Sequence, residues 1–242
     1  MGLRSSLASL PAFGCREVIT PARVSHAAVS KNGWVSMTAS MPRDSTWTGS
    51  LPVALFTGGY LLLAILVAVG RANYEFLIYI GSILVVLPVI AVTHAKIRLT
   101  GGALWSLSAW GFMHMCGGLL HVPESWPIQG DHAVLYSLWL IPETIKYDNL
   151  VHAFGFGVTS WVCWQGLRAA LGGAAEPTWG RMLLVWAAGQ GFGALNEVIE
   201  FGAVLAVPET NVGGYSNTGW DLVANVLGCS VAVLWIRFGR AR

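Results

Sequence analysis

Charge is what this chain has least of. Only 11% of its 242 residues are charged, against about 25% in an ordinary soluble domain. With 55% hydrophobic residues and a mean hydropathy of +0.60, a soluble globular fold is excluded. Cysteine is scarce too: Cys15, Cys116, Cys163 and Cys229 stand singly with no C-x-x-C spacing. A disulfide framework or cysteine-bound metal is not expected, and the three in apolar segments read as small buried residues. There is no G-x-S-x-G, P-loop or dinucleotide fingerprint, which removes a nucleophilic-serine hydrolase and the common nucleotide folds. No basic face is interleaved with aromatics, so nucleic acid is not a partner. No short apolar core ends in a small-residue cleavage site, so a cleaved secretory signal is absent as well.

What is there in quantity is long apolar sequence. Six stretches have the roughly 20 residues that a bilayer core requires: about 51–70, 74–95, 102–121, 149–170, 182–206 and 218–236. The expected fold is all-α, a polytopic membrane bundle of six transmembrane helices over 49–242. Lys and Arg set its orientation, because short positive loops stay cytoplasmic. With the N-terminus inside, twelve of the fourteen basic residues are cytoplasmic and only Arg71 and Lys146 fall outside. Both termini are therefore expected in the cytoplasm and the protein in the plasma (inner) membrane. Residues 1–48 lack a long apolar core, carry few acids and read as a disordered cytoplasmic tail or the product of a misassigned start. Tryptophans near the ends of the spans, among them Trp126, Trp220, Trp47, Trp105, Trp179 and Trp235, read as aromatic belts.

Ionisable groups inside a span cost about 2.5–3.5 kcal/mol each at the helix centre on insertion scales, so each one present needs a reason. The first two spans carry almost none and read as scaffold. The third carries His114 and His121, seven apart. The fourth opens with Asp148 and His152, the fifth holds Asn196, Glu197 and Glu200, and the sixth begins with Asp221 and Asn225. Within each helix the ionisable groups and Asn225 recur at three, four or seven residues, which puts them on one face. Given the orientation, all fall in the outer leaflet, where they would form a shared polar cup. Below it the same faces turn small, with Gly155, Gly189, Gly193 and Gly228, and close helix packing there would floor the cup. Two segments would cover it: 122–147, expected to include a helix lying in the interface, and 207–217, whose Gly213-Gly214 pair suits a turn.

Two histidines and four carboxylates are ligand types used by zinc, iron and manganese. His114, Asp148, His152 and Asp221 are the candidate metal ligands, Glu197 and Glu200 the candidate general base and its partner, and Asn196 and Asn225 the candidate substrate-binding amides. The paired Glu-x-x-His of di-iron bundles is missing, which favours a single divalent ion. A metal-free acid/base relay and a purely structural polar network stay open beside it. His121 reads as interfacial, and His26, His94 and His132 as surface or tail residues.

The segments Y-D-N-L-V-H-A-F-G-F-G, N-E-V-I-E-F and N-T-G-W-D-L-V-A-N-V-L-G, in this order, resemble the YjdF-like bacterial inner-membrane proteins. The Asp-x-x-x-His opening and the final motif are also similar to VanZ-like proteins. The resemblance covers about residues 100–235 and touches Asp148, His152, Glu197, Glu200 and Asp221. The segment before Trp220 is shorter here than in YjdF-like chains. What the resemblance implies is a fold and, through the VanZ likeness, the cell envelope and lipid-linked substrates. Three functions follow from the sequence. The first is a metal-dependent hydrolase or lipid-modifying enzyme among membrane lipids; the second, a transporter or small-molecule-binding protein; the third, an accessory subunit. Its oligomeric state is not legible.

Overall fold

The computed structural model describes residues 49–130, 132–207, 210 and 214–239. The expected tail over 1–48 lies outside the described residues, as do 208–209 and 211–213 of the second covering segment. Six long helices follow one another: α1 Leu51–Gly70, α2 Tyr74–Ile97, α3 Gly101–Leu119, α4 Tyr147–Ala170, α5 Trp179–Ala206 and α6 Tyr215–Phe238. Their ends carry local signals. Pro52 sits in the first turn of α1, Asn73 accepts from the Phe76 amide at the start of α2, and Thr100 accepts from the Ala103 amide at the start of α3.

Four helices, α1, α2, α5 and α6, are long and apolar enough to cross a membrane. α3 and α4 are helical as expected but do not reach that apolarity. The reason is visible in α4, which carries Asp148, Asn149, His152, Gln165 and Arg168. It packs against α2, α3, α5 and α6 and buries Val151, His152, Gly155, Phe156, Val158, Ser160 and Trp164. A helix enclosed by its neighbours does not need an apolar surface on every side.

Two cores hold the bundle. One joins α1, α2 and α3 with the far end of α5 through Leu61, Ala64, Phe76, Ile80, Met115 and Ala203; the other joins α4, α5 and α6 through Trp164, Met182, Val185, Val233 and Ile236. Between the second core and the polar end the backbones nearly touch. A Cβ on Gly228 would run into the Ala153 carbonyl, and one on Gly189 into Ser160 and Cys229.

The 122–147 segment is not an interfacial helix. It has one 3₁₀ turn, Leu135–Ser137, and an antiparallel pair, β1 Trp139–Ile141 with β2 Ile145–Lys146, plus bridges from His121 to Val134 and from Ile128 to Leu138. Pro123, Pro127 and Pro142 cannot donate to a helix, and the stretch between the last two pairs with its neighbours instead, Ile128 with Leu138, Val134 with His121 and Trp139 with Lys146. It closes as a knot of turns over the end of the bundle.

Candidate functional site

The site is built on the first two turns of α4. The Lys146 amide donates to Asn149 Oδ1 at 2.9 Å, which anchors the helix start. From there a four-residue step places Asp148 and His152 on one face, and the intervening 100° rotation turns Asn149 toward α6. Asn149 Nδ2 donates to Asp221 Oδ1 at 2.9 Å. Asn217 Nδ2, one turn before Asp221, donates to Asp221 Oδ2 at 2.6 Å and reaches Asp148 Oδ2 at 3.5 Å. Lys146 Nζ donates to Asn217 Oδ1 and lies 3.8 Å from Asp148 Oδ2. Asp221 is fully buried and both of its oxygens are satisfied.

His152, 5% exposed, is the centre. Its Nδ1 lies 3.2 Å from Asn225 Oδ1. An amide oxygen only accepts, so Nδ1 carries a proton directed at Asn225. Nε2 faces Asp148 Oδ1 at 3.8 Å and Glu200 Oε1 at 3.7 Å. Glu197 Oε1 lies 3.7 Å from Nδ1. Glu200 Oε1 also accepts from Asn196 Nδ2 at 2.7 Å, whereas neither buried oxygen of Glu197 has a hydrogen-bond partner. Asn225 Nδ2 is likewise buried without a partner. Two sets of ligand atoms meet at His152: Asp148, His152 and Asp221, and His152, Glu197 and Glu200.

His114 is in neither set. It sits among Phe76, Tyr79, Trp110 and Tyr136, stacked on Trp110, with the Tyr136 hydroxyl bonded to its Nδ1. Burial pushes the Tyr136 phenol well above its usual range, so it stays neutral beside His114. His121 caps a different corner, where Arg71 reaches its Nδ1 at 2.9 Å and the Leu119 carbonyl at 2.7 Å. Lys146, Asn149, Asn217 and Tyr136 are site residues that helical spacing from Asp148 and His152 does not pick out. Asn149 lies inside the same motif, off the ionisable stripe. Tyr136 comes from a covering segment, where no periodicity operates; Asn217 lies in the first turn of α6, four residues before Asp221, ahead of where that span is expected to begin.

The fold and the site define a multi-pass membrane helix bundle with a buried His/carboxylate cluster at one end of its last three helices. The chain belongs to the family described as "Predicted membrane protein (DUF2238)", which matches residues 52–242. This is the YjdF-like family that the three motifs resemble. No curated protein and no solved structure matches it.

Proposed function

We propose that this protein is a divalent-metal-dependent enzyme, a hydrolase acting at the membrane on a lipid or lipid-linked cell-envelope substrate. The observation that carries the reading is the environment of His152 Nε2. That nitrogen faces two carboxylate oxygens at 3.7 and 3.8 Å. Those separations are too long for hydrogen bonds. Two ligand atoms each about 2.1 Å from one ion at the tetrahedral angle stand about 3.4 Å apart, close to what is seen. Charge supports the same conclusion. Among the described residues the cations beside Asp148, Glu197, Glu200 and Asp221 are Lys146 and His152, so with all four carboxylates ionised the cluster would carry surplus negative charge that a divalent cation would offset.

In this reading the two ligand sets have different tasks. Asp221, held by Asn149 and Asn217, orients the start of α6. His152, Asp148 and Glu200 would hold the ion, zinc, iron or manganese, which would draw together the Asp148 and Glu200 oxygens of the two sets, and Asn225 holds His152 Nδ1 as a positioning residue. His114 is left outside the centre. A divalent ion bound there supplies a Lewis acid and a water ionised near neutral pH. Glu197, whose buried oxygens have no hydrogen-bond partner and approach His152 Nδ1 at 3.7 Å, would take the proton of the attacking water and return it to the leaving group. Asn196 steadies Glu200.

The reading also takes all six helices as crossing the membrane, with both termini cytoplasmic and the site on the extracytoplasmic side of the plasma membrane. Among the described basic residues, Arg71 and Lys146 stand at the site end. Lys96, Arg98, Arg168, Arg181 and Arg237 stand at the other end. The VanZ likeness adds the cell envelope by analogy alone.

Elemental analysis of the purified wild type beside Asp148→Asn and Glu200→Gln tests the metal. One ion per chain is expected, with a large loss in both variants. No stoichiometric metal in the wild type after supplementation would remove the metal and leave a polar network.

A further inference from the structure

A second feature adjoins the site: a cavity of 510 Å³ bounded by α1, α2 and α3, with Asn196 and Ile199 of α5 at its upper edge. Its walls are hydrocarbon, including Val53, Ala54, Val86, Ile90, Leu104 and Leu107. The hydroxyls of Thr57 and Ser108 that face it bond to each other at 2.6 Å and so are already satisfied. It is long rather than round. From Tyr79 at one end to His94 at the other it follows α2 for fifteen residues, about 22 Å at the helical rise. A slot of that length along the helix axes exceeds half of the roughly 30 Å hydrocarbon core.

The polar end of the slot is the site. Asn196 lines the slot and donates to Glu200 at 2.7 Å, and His114 lines it as well. A molecule occupying both places has one extended apolar chain and a polar group attached to its end. We infer that the slot between α1, α2 and α3 binds the hydrocarbon chain of a membrane lipid, with the lipid's polar group held at Asn196 beside the His152 cluster. This deepens the proposed function by naming the substrate class, and it rests on that reading only for the chemistry. α1 and α2 then have a task beyond scaffold. A helix of a partner would be too wide for a slot that one Tyr60 and one Trp110 side chain help to wall.

Gly58 supplies a clean probe. It lines the slot, and a Cβ added there meets nothing within 4 Å, so a larger side chain starts from open space rather than against a neighbour. The full chain is reconstituted in phosphatidylethanolamine/phosphatidylglycerol vesicles containing a phospholipid with a diazirine at the end of one acyl chain. Adducts after irradiation are mapped by peptide mass spectrometry. They should be enriched several-fold at Val86, Ile90, Leu104 and Leu107 over the outward-facing Leu62, Leu63 and Val85. Gly58→Phe should abolish the enrichment and leave labelling of Leu62 and Leu63 unchanged, which also shows that the variant is folded. Equal labelling of both groups, a protected slot, or enrichment that survives Gly58→Phe overturns the inference. Glu200→Gln keeps the slot intact, so slot labelling there, with metal absent from the wild type, would sink the enzyme reading while leaving lipid binding in place.

Discussion

At the level of single residues, the cluster divides by hydrogen-bond satisfaction. Asp221 has a donor on each oxygen, from Asn149 at 2.9 Å and Asn217 at 2.6 Å, while Glu197 has none. A satisfied buried carboxylate holds structure; an unsatisfied one awaits a cation, a proton or a substrate. Asp221→Asn turns one acceptor into a donor against an existing donor. It should therefore lower stability by about 1–3 kcal/mol, read as a reduced thermal midpoint, while the metal content per folded chain stays at the wild-type level. Asn225→Ala has the opposite profile. It removes the oxygen that fixes His152, and metal affinity should fall by about 10–100-fold, measured by titration with a competing chelator. Equal metal loss in both variants would mean that Asp221 is a ligand after all.

At the level of helices, periodicity in the sequence gives the elements and misses the covering segments. The six apolar stretches become six helices with ends within a few residues of expectation, because bilayer-length apolar runs leave the backbone no partner but itself. The Asp148/His152 and Glu197/Glu200 pairs are legible for a related reason, since a three- or four-residue step fixes a shared face. Asn149 is not, because its partner lies on α6 and only the tertiary fold brings the two together. The 122–147 segment, expected to include a helix, forms turns and short strand pairs instead, because its apolar content carries no period and its three prolines interrupt a helical hydrogen-bond ladder. The glycine floor is more legible than its geometry. Gly228 is where α6 meets the Ala153 carbonyl of α4, so Gly228→Ala should separate the two helices and cost about 1–3 kcal/mol or more by overpacking. Gly202→Ala on α5 meets open space and should be close to neutral. Thermal unfolding in one detergent compares the pair, and similar midpoints would show that the α4–α6 contact is slack.

At the level of the whole molecule, the two ends of the bundle are chemically unlike. One holds the His152 cluster, the turns of 122–147 and two basic residues, Arg71 and Lys146. Both are engaged: Arg71 with Leu119 and His121, Lys146 with Asn217 and Asp148. The other end holds Lys96, Arg98, Arg168, Arg181 and Arg237, with Arg237 lying 5.5 Å from the ring of Trp179. Charge in short loops orients a bundle on insertion, and the end with more Lys and Arg is retained in the cytoplasm. The proposed outward placing of the site rests on this asymmetry together with an even number of crossings. It depends on α3 and α4 both crossing although neither is as apolar as the other four, because a bundle in which that pair stayed on one side would still return its C-terminus to the same compartment. The loop between them is therefore the informative place. A reporter active only outside the cytoplasm, inserted after Gly130, should be active, while the same reporter after Arg242 should be silent. Silence at both positions would mean that α3 and α4 do not carry the 122–147 segment across, and the His152 cluster would then have to draw its substrate from the cytoplasmic leaflet.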